Sequence, residues 1–228
     1  MVRVAGLKDQ VKAKFTKPEN KAGLTPKQQL AAISTKAHEL VEVQYETLMN
    51  VILPKLNEQS IRILEMEQLD EKQFQFLESY FEEQIFPVLT PLAVDAYRPF
   101  PMLLNKSLNL AIVIEDNEYE ENQLKTAIVQ VPAVLERFVK IEASDNSINY
   151  VFLEDIISYF INKLFKGYKV VSVSIFRITR NADMTIHEEG ARDLLKEIEK
   201  ELKKRKWGAA VRLEIQSKDF DQRILNYL

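Results

Sequence analysis

Cysteine is absent from this chain of 228 residues. Its absence excludes disulfides, thiolate chemistry and cysteine-ligated zinc sites, and it agrees with a reducing compartment. Glycine is scarce, with five residues, and no two of them are close enough in sequence to form a phosphate-binding glycine loop. No apolar run approaches the roughly 20 residues that cross a bilayer, and we expect no secretory signal. A basic excess is also missing, since the net charge is −3, which argues against a general nucleic-acid-binding protein.

The residues that are present indicate a globular protein. Hydrophobic residues make up 46% of the chain and charged residues 29%, which is an ordinary balance. The length allows one sizeable domain or two small ones, with enough chain to bury a core.

The first third of the chain has the periodicity of helices. Thr25 followed by Pro26 predicts a helix N-terminus, because threonine caps a helix and proline suits its first turn. Apolar residues then recur at helical spacing up to Ile52, and Pro54 should end or kink this helix. The members of this stripe are Leu30, Ile33, Ala37, Val41, Tyr45, Leu48 and Ile52. Asp70 predicts the cap of another helix. The buried face of that helix is formed by Phe74, Leu77, Phe81 and Ile85.

The character of the sequence changes near Pro87, where a proline-containing connector precedes several strand-like runs. These runs are residues 108–115, 126–131, 150–153, 170–179 and 211–215. They alternate irregularly with helical segments, the clearest of which extends from Glu188 to Lys206. We therefore expect an α+β fold, in which a helical N-terminal segment precedes a mixed α+β part with a mainly antiparallel sheet.

The segment from Phe176 to Asp183 contains the best candidate binding residues, Arg177 and Arg180. Arginine presents a planar set of donors that suits phosphate oxygens. Pairing of both arginines with carboxylates is the alternative, and spacing alone favours it. On a regular strand the two side chains face opposite sides, so they reach one ligand only if the strand bends. The apolar pattern changes phase between Ile175 and Phe176, which predicts such a bulge or bend just before the arginines.

No complete active site is evident in the sequence. The two histidines, His38 and His187, are far apart in the chain, and each is better explained as a structural residue. Carboxylates are plentiful, but no pair is placed as an acid–base couple. The acidic run at residues 115–121 is best explained as a solvated hairpin tip, and the basic run at 203–206 as compensation of a helix dipole. We therefore assign no catalytic residue and no metal ligand.

Several short runs, taken together, resemble the long-chain polyphosphate kinase family, whose members are phosphorylated on histidine. The runs follow the family's order along nearly the whole chain, although no single run carries the resemblance. They are MVRVAGL (1–7), FPVLTPLAVD (86–95), SLNLA (107–111), VQVP (129–132), FKGY (165–168), FRITRNAD (176–183) and AVRLE (210–214). Asn181 departs from the family, which more often has aspartate at this position.

The resemblance implies an activity and a domain order. Enzymes of this family reversibly transfer the terminal phosphate of ATP to inorganic polyphosphate through a phosphohistidine, with Mg²⁺ accompanying ATP. Residues 1–85 resemble the second half of the family's helical N-terminal domain, and residues 86–228 resemble its middle, or head, domain. The C-terminal catalytic domains are not represented, so no catalytic residue is carried over and no cofactor is expected in this segment.

The leading hypothesis is the non-catalytic front portion of a polyphosphate kinase, which helps to form the nucleotide and polyphosphate path and the dimer contacts. It implies a cytoplasmic enzyme with ATP and polyphosphate as partners, a homo-oligomer formed through the middle domain, and no nucleic-acid partner; membrane association stays open. A polyanionic product needs fixed cations along its path, and Arg177 and Arg180 are the candidates for polyphosphate binding.

Two other hypotheses remain. A standalone dimerisation or scaffold module would use the aromatic helix at residues 74–86 and the basic first turns. The basic residues of those turns are Arg3, Lys8, Lys12 and Lys14. A self-sufficient enzyme is disfavoured because no paired catalytic groups are present.

Overall fold

The computed structural model describes residues 2–19, 21–94, 101–116, 123–143, 145–181, 210–216 and 221–224. The described helices are α1 (Val2–Lys12), α2 (Pro26–Thr47), α3 (Leu53–Glu58), α4 (Glu71–Tyr80) and α5 (Leu153–Tyr159). The described strands are β1 (Ile61–Ile63), β2 (Pro91–Val94), β3 (Leu108–Asp116), β4 (Gln123–Gln130), β5 (Phe138–Ile141), β6 (Ile148–Phe152), β7 (Tyr168–Arg180) and β8 (Ala210–Ile215). Among the described helices, none has the length and apolar character needed to cross a membrane.

Contacts along the chain group it into two compact units. The first unit comprises Met1–Lys55 with Thr179–Arg212, and the second comprises Leu56–Ile178 with Leu213–Leu228. The expected division into domains at residues 85 and 86 stays a prediction.

The first unit contains a pair of helices, α1 and α2, with residues 13–25 between them. Helix α1 packs against α2 and buries Ala5 and Leu7. The predicted cap at Thr25 is confirmed, since the Gln28 N–H donates to Thr25 Oγ1 at 3.3 Å while the Thr25 N–H donates to Gln28 Oε1 at 2.9 Å. This reciprocal arrangement satisfies two backbone donors that the helix itself leaves unpaired.

The helical path does not end at Pro54, so of the two predicted outcomes, an end or a kink, the end is wrong. A π-helical turn, Leu48–Ile52, follows α2, and the Leu53 N–H donates to the Leu48 carbonyl five residues earlier. This turn changes the hydrogen-bond register, so Pro54 falls in the first turn of α3, where its missing N–H is tolerated. The helical path therefore continues to Glu58.

The second unit contains two sheets, although β7 and β8 each extend from it into residues of the first unit. A three-stranded sheet has the order β1-β6-β5, with β1 parallel to β6 and β5 antiparallel to β6. A five-stranded sheet has the order β2-β4-β3-β7-β8, in which β2–β4, β3–β4 and β3–β7 are antiparallel pairs. The expected α+β fold with a mainly antiparallel sheet is confirmed.

Both faces of β3, the middle strand of the five-stranded sheet, are buried. Leu110 and Ile112 of β3 face the main core, which includes residues of α4, α5 and the three-stranded sheet. Ala111 and Val113, the alternate residues of the same strand, face a second and smaller core. The other members of the second core are Val94, Leu103, Ile128, Phe176, Ile178 and Ile224. A strand buried on both faces has no polar face, which explains the nearly continuous apolar sequence of β3.

The predicted face of α4 is confirmed. The Asp70 cap is present, because the Gln73 N–H donates to Asp70 Oδ1 at 2.9 Å. Leu77, Phe81 and Ile85 are fully buried in the main core, and Phe74 packs against it. Three sequence predictions lie wholly or partly outside the described residues: the helix at 188–206 with its basic end, His187, and the acidic tip at 115–121.

Candidate functional site

Arg177 lies near the end of β7, opposite Leu108 of β3. Its Nε donates to Glu214 Oε2 at 3.0 Å and its Nη2 donates to Glu214 Oε1 at 2.8 Å. Glu214 belongs to β8, the neighbour of β7 in the sheet. The two side chains are 42% and 21% exposed, so this bidentate pair is partly accessible to solvent. For Arg177, the structure therefore shows the carboxylate pairing that the sequence left as the alternative, and phosphate binding stays a prediction.

Arg180 is the last residue of β7, where it is partly buried, and Thr179 beside it is buried. Arg177 and Arg180 are three positions apart, an odd spacing that places side chains on opposite faces of a regular strand. Asn181 follows the strand and is partly buried. The rest of the predicted segment, residues 182 and 183, lies outside the described residues.

Of the predicted bulge or bend just before the arginines, the bulge is wrong. The register of β7 against β3 shifts between Val113 and Ile114, where Val171 is skipped because Ser172 pairs with Val113 and Val170 with Ile114. The bulge is therefore six residues before Arg177. From Ser172 to Arg177 the pairing is regular.

The alternation of apolar and polar residues along β7 is interrupted between Ile175 and Phe176 for a different reason. Ile175 packs against the main core, whereas Phe176 and Ile178 belong to the second core. Apolar residues therefore occupy adjacent positions because each face of the strand packs against a different core.

A polar cluster near the middle of β7 was not predicted. Ser172 Oγ donates to Asp221 Oδ2 at 2.6 Å, and the Asp221 N–H donates to Ser174 Oγ at 3.2 Å. Arg223 Nε donates to Asp221 Oδ1 at 2.9 Å. The hydrogen bonds from Arg223 hold the pKa of Asp221 well below its usual range. The cluster fixes the segment that carries the buried Ile224. Serines at alternate positions of an apolar strand were the available sequence signal.

Another unpredicted group of charges surrounds the start of α5. Glu154 is buried, and Arg137 binds it with Nε at 2.9 Å from Oε1 and 3.2 Å from Oε2. The guanidinium of Arg137 also lies 5.0 Å from the centre of the Phe152 ring. Burial raises the pKa of Asp155 to about 6, and the neighbouring carboxylates Glu154 and Glu65 add to the rise. Such shifts occur in active sites, but structural charge networks produce them as well.

The described residues provide no complete catalytic centre. His38 is exposed on α2, with its Nδ1 2.7 Å from the Ser34 carbonyl oxygen. Within the described part of the chain, no group of three or more histidine, aspartate or glutamate side chains is arranged to hold a metal ion.

Two family models match the chain in succession. The polyphosphate kinase N-terminal domain matches residues 1–64, and the polyphosphate kinase middle domain matches residues 72–228. This chain belongs to the polyphosphate kinase family. The resemblance seen in the short sequence runs is thereby confirmed.

Curated members of the family align along the whole chain. The polyphosphate kinase of Bacillus anthracis is 63% identical, with 100% of this chain and 33% of the relative covered. The polyphosphate kinase of Exiguobacterium sibiricum is 56% identical, with 100% of this chain and 31% of the relative covered. That of Staphylococcus epidermidis is 46% identical, with 100% of this chain and 30% of the relative covered. The chain thus spans about a third of the length of these relatives.

A solved structure has the same fold. The crystal structure of polyphosphate kinase from Porphyromonas gingivalis superposes with a TM-score of 0.73 at 24% sequence identity. The match covers 99% of this chain and 30% of that one. At this identity the likeness supports the fold alone, and it agrees with a helical N-terminal part followed by mixed sheets.

Proposed function

We propose that this chain is the front portion of a longer cytoplasmic polyphosphate kinase, which reversibly transfers the terminal phosphate of ATP to inorganic polyphosphate. The observation that carries the proposal is the alignment of the whole chain with relatives named polyphosphate kinase. Phosphoryl transfer depends mainly on positioning and on neutralising charge. A portion without a nucleophile therefore has a role in catalysis if it holds substrates or supports the domains that react.

The test compares the purified 228-residue chain with a chimera, in which this segment replaces the matching segment of the Bacillus anthracis enzyme. Transfer of labelled phosphate from ATP to polyphosphate is measured in both. We expect no transfer by the chain alone and clear transfer by the chimera. Transfer by the isolated chain, or an inactive chimera that is folded by circular dichroism, would contradict the proposal.

We further propose that Arg177 and Arg180 contribute to the polyphosphate path. Glu214 supports this role by orienting Arg177. Its two hydrogen bonds fix the plane of the Arg177 guanidinium at a partly exposed position. The double variant R177Q/R180Q in the chimera removes both charges without setting a second carboxylate against Glu214, and it should lower polyphosphate synthesis while the chimera stays folded by circular dichroism. Unchanged turnover would defeat this assignment.

A matched pair of variants separates binding from structure. If Arg177 only stabilises the sheet, R177Q and E214Q should lower the urea midpoint equally and leave KM for polyphosphate unchanged. If Arg177 binds polyphosphate, R177Q should raise this KM several-fold and E214Q should affect it much less, because the cation is still present.

We propose that residues 86–228 form the middle domain and mediate a homo-oligomer. The outer face of the three-stranded sheet supports this, since Phe138 is 47% exposed and its ring lies 5.1 Å from that of Phe152. Sedimentation velocity should show a concentration-dependent dimer that F138K abolishes. The control is F76K, which changes an equally exposed phenylalanine on α4. A dimer that survives F138K would contradict this contact.

A standalone scaffold module is the second candidate, and the exposed apolar residues of α2 favour it. The two candidates differ in the length of the native product. An immunoblot of the source cells against this segment should show a polypeptide about three times as long if the kinase proposal is correct.

A further inference from the structure

Positive charge is concentrated at the start of the chain. Residues 1–27 contain seven basic and two acidic side chains, a net charge of +5, whereas the whole chain carries −3 and the other 201 residues therefore carry −8. We call the seven basic residues the N-terminal basic surface. They are Arg3, Lys8, Lys12, Lys14, Lys17, Lys21 and Lys27. All seven are exposed.

The fold displays these lysines on one helix–loop–helix hairpin. Arg3 on α1 pairs with Glu19 of the loop and donates from Nη2 to Gln29 Oε1 of α2 at 2.6 Å. The loop closes on itself, since the Glu19 N–H donates to the Leu24 carbonyl at 3.1 Å and the Gly23 N–H donates to the Glu19 carbonyl at 2.8 Å.

The lysine charges of this surface are poorly compensated locally. Glu19 is engaged by Arg3, which leaves Asp9 as the other acidic residue of the segment. Among the described residues, no carboxylate forms an ion pair with any of the six ammonium groups. The surface therefore attracts anions from solution.

Three of the lysines occupy positions that stability alone disfavours. Lys8 and Lys12 are four residues apart on α1, a spacing at which like charges repel. Lys14 has a φ of 57°, the left-handed region that favours glycine. It closes α1 in a Schellman arrangement, with the Lys14 N–H donating to the Val11 carbonyl at 3.0 Å and the Phe15 N–H donating to the Gln10 carbonyl at 2.9 Å.

We propose that the N-terminal basic surface binds inorganic polyphosphate through its lysine ammonium groups. The inference rests on the proposed function, which supplies polyphosphate as the polyanion. Polyphosphate carries a negative charge on every phosphoryl unit, so a narrow, flexible chain contacts several lysines at once without sequence-specific contacts. The acidic remainder of the chain disfavours an extended nucleic-acid duplex, which would spread beyond the basic surface.

The binding test uses the 228-residue chain and a long-chain polyphosphate labelled at one end, with fluorescence anisotropy read at several NaCl concentrations. Binding of a flexible polyanion to lysines releases counterions, so log K should fall with log salt at a slope of about −0.7 per lysine engaged. With most of the six lysines engaged, we expect a slope of about −4. Inorganic phosphate, added at the same total concentration of phosphorus, should not displace the labelled polyphosphate, because one phosphate ion cannot contact several lysines at once.

A matched pair of variants locates the site. K8Q/K12Q/K17Q removes three charges from the basic surface, and K72Q/K140Q/K166Q removes three exposed charges elsewhere. The first should weaken binding by about tenfold or more and reduce the slope by about 2. The second should weaken binding much less. Equal losses in the two variants would overturn the proposal, because they would indicate a response to net charge alone.

A single substitution distinguishes a binding role for Lys14 from a structural one. K14G should raise the urea midpoint, since glycine adopts the left-handed conformation without steric cost. It should also weaken polyphosphate binding. A gain in stability with unchanged binding would remove Lys14 from the site.

Two further outcomes test the identity of the ligand and separate binding from the proposed function. Single-stranded DNA of equal charge that binds as tightly as polyphosphate would overturn the assignment of ligand. Failure of the chimera to transfer phosphate would contradict the proposed function but leave the binding result standing, because anisotropy needs no transfer. In an active chimera, K8Q/K12Q/K17Q should shorten the polyphosphate product relative to K72Q/K140Q/K166Q.

Discussion

Helices α2 and α4 begin in the same way but differ in what covers them. Both have a reciprocal capping box at the N-terminus, and both continue into a π-helical turn. On α4 and its π turn, Leu77 and Phe81 are fully buried. On α2, Leu40 is 61% exposed and Val43 59% exposed. Helical periodicity therefore predicts which residues share a face, but the partner of that face depends on the rest of the assembly.

The largest expected contrast is between matched leucine truncations. L77A leaves a cavity in the main core and should lower the free energy of unfolding by about 3 kcal/mol. L40A removes an exposed side chain and should lower it by less than about 0.5 kcal/mol. Urea denaturation monitored by circular dichroism measures both. A loss of 2 kcal/mol or more for L40A, on the order of a core truncation, would show that the face of α2 is covered in solution, and its dependence on protein concentration would identify a second copy.

The next contrast is between ion pairs in the two units. R137Q leaves the buried carboxylate of Glu154 without its charged partner and should cost about 3 kcal/mol. K36Q breaks the exposed pair with Glu39, for which we expect a change of less than about 0.5 kcal/mol. The same denaturation assay checks both variants. Equal small losses would mean that water reaches Glu154 when Arg137 is removed.

The smallest expected effect is the pH dependence produced by Asp155. Its pKa is raised to about 6 in the folded protein and is about 3.9 in the unfolded chain. Below both values the carboxyl group is protonated in either state, so its stabilising contribution is fully present there. That contribution is lost as the pH rises from about 4 to 6, since the folded protein then has to hold a charge at a partly buried position.

The variant D155N removes this titration. We expect it to be more stable than the original chain above pH 6, by on the order of 1 kcal/mol after allowance for solvent screening. The gap should close toward pH 4. Thermal unfolding at matched ionic strength measures it, and a gap that is constant with pH would show that Asp155 titrates normally.

Local signals in the sequence were sufficient for much of the fold. The caps at Thr25 and Asp70 and the face of α4 were predicted because each depends on residues within a few turns of one another. The strands β2 and β5 were missed, since each has four residues, too few for a periodic pattern. The end of the helix at Pro54, one of the two predicted outcomes, was wrong because the sequence does not reveal the π turn that precedes this proline.

The candidate site was predicted only in part. Arg177 was singled out from its residue type and neighbours, but its partner Glu214 is 37 residues later, on a strand brought alongside by the sheet. The chain has 34 acidic residues, and no local rule selects one of them. The bulge before Arg177 was wrong for a related reason, because alternation cannot distinguish a bulged strand from a regularly paired one that has a core on each face.

The sequence by itself determined the family, the helix starts, the apolar face of α4 and the concentration of positive charge before residue 28, because each is a property of residue types at short spacing. Tertiary structure alone decided the double burial of β7, the pairing of Arg177 with Glu214, and the contrast between the covered face of α4 and the exposed face of α2. The physical reason is that burial and ion pairing depend on which distant segments meet, and sequence spacing within one segment does not contain that information.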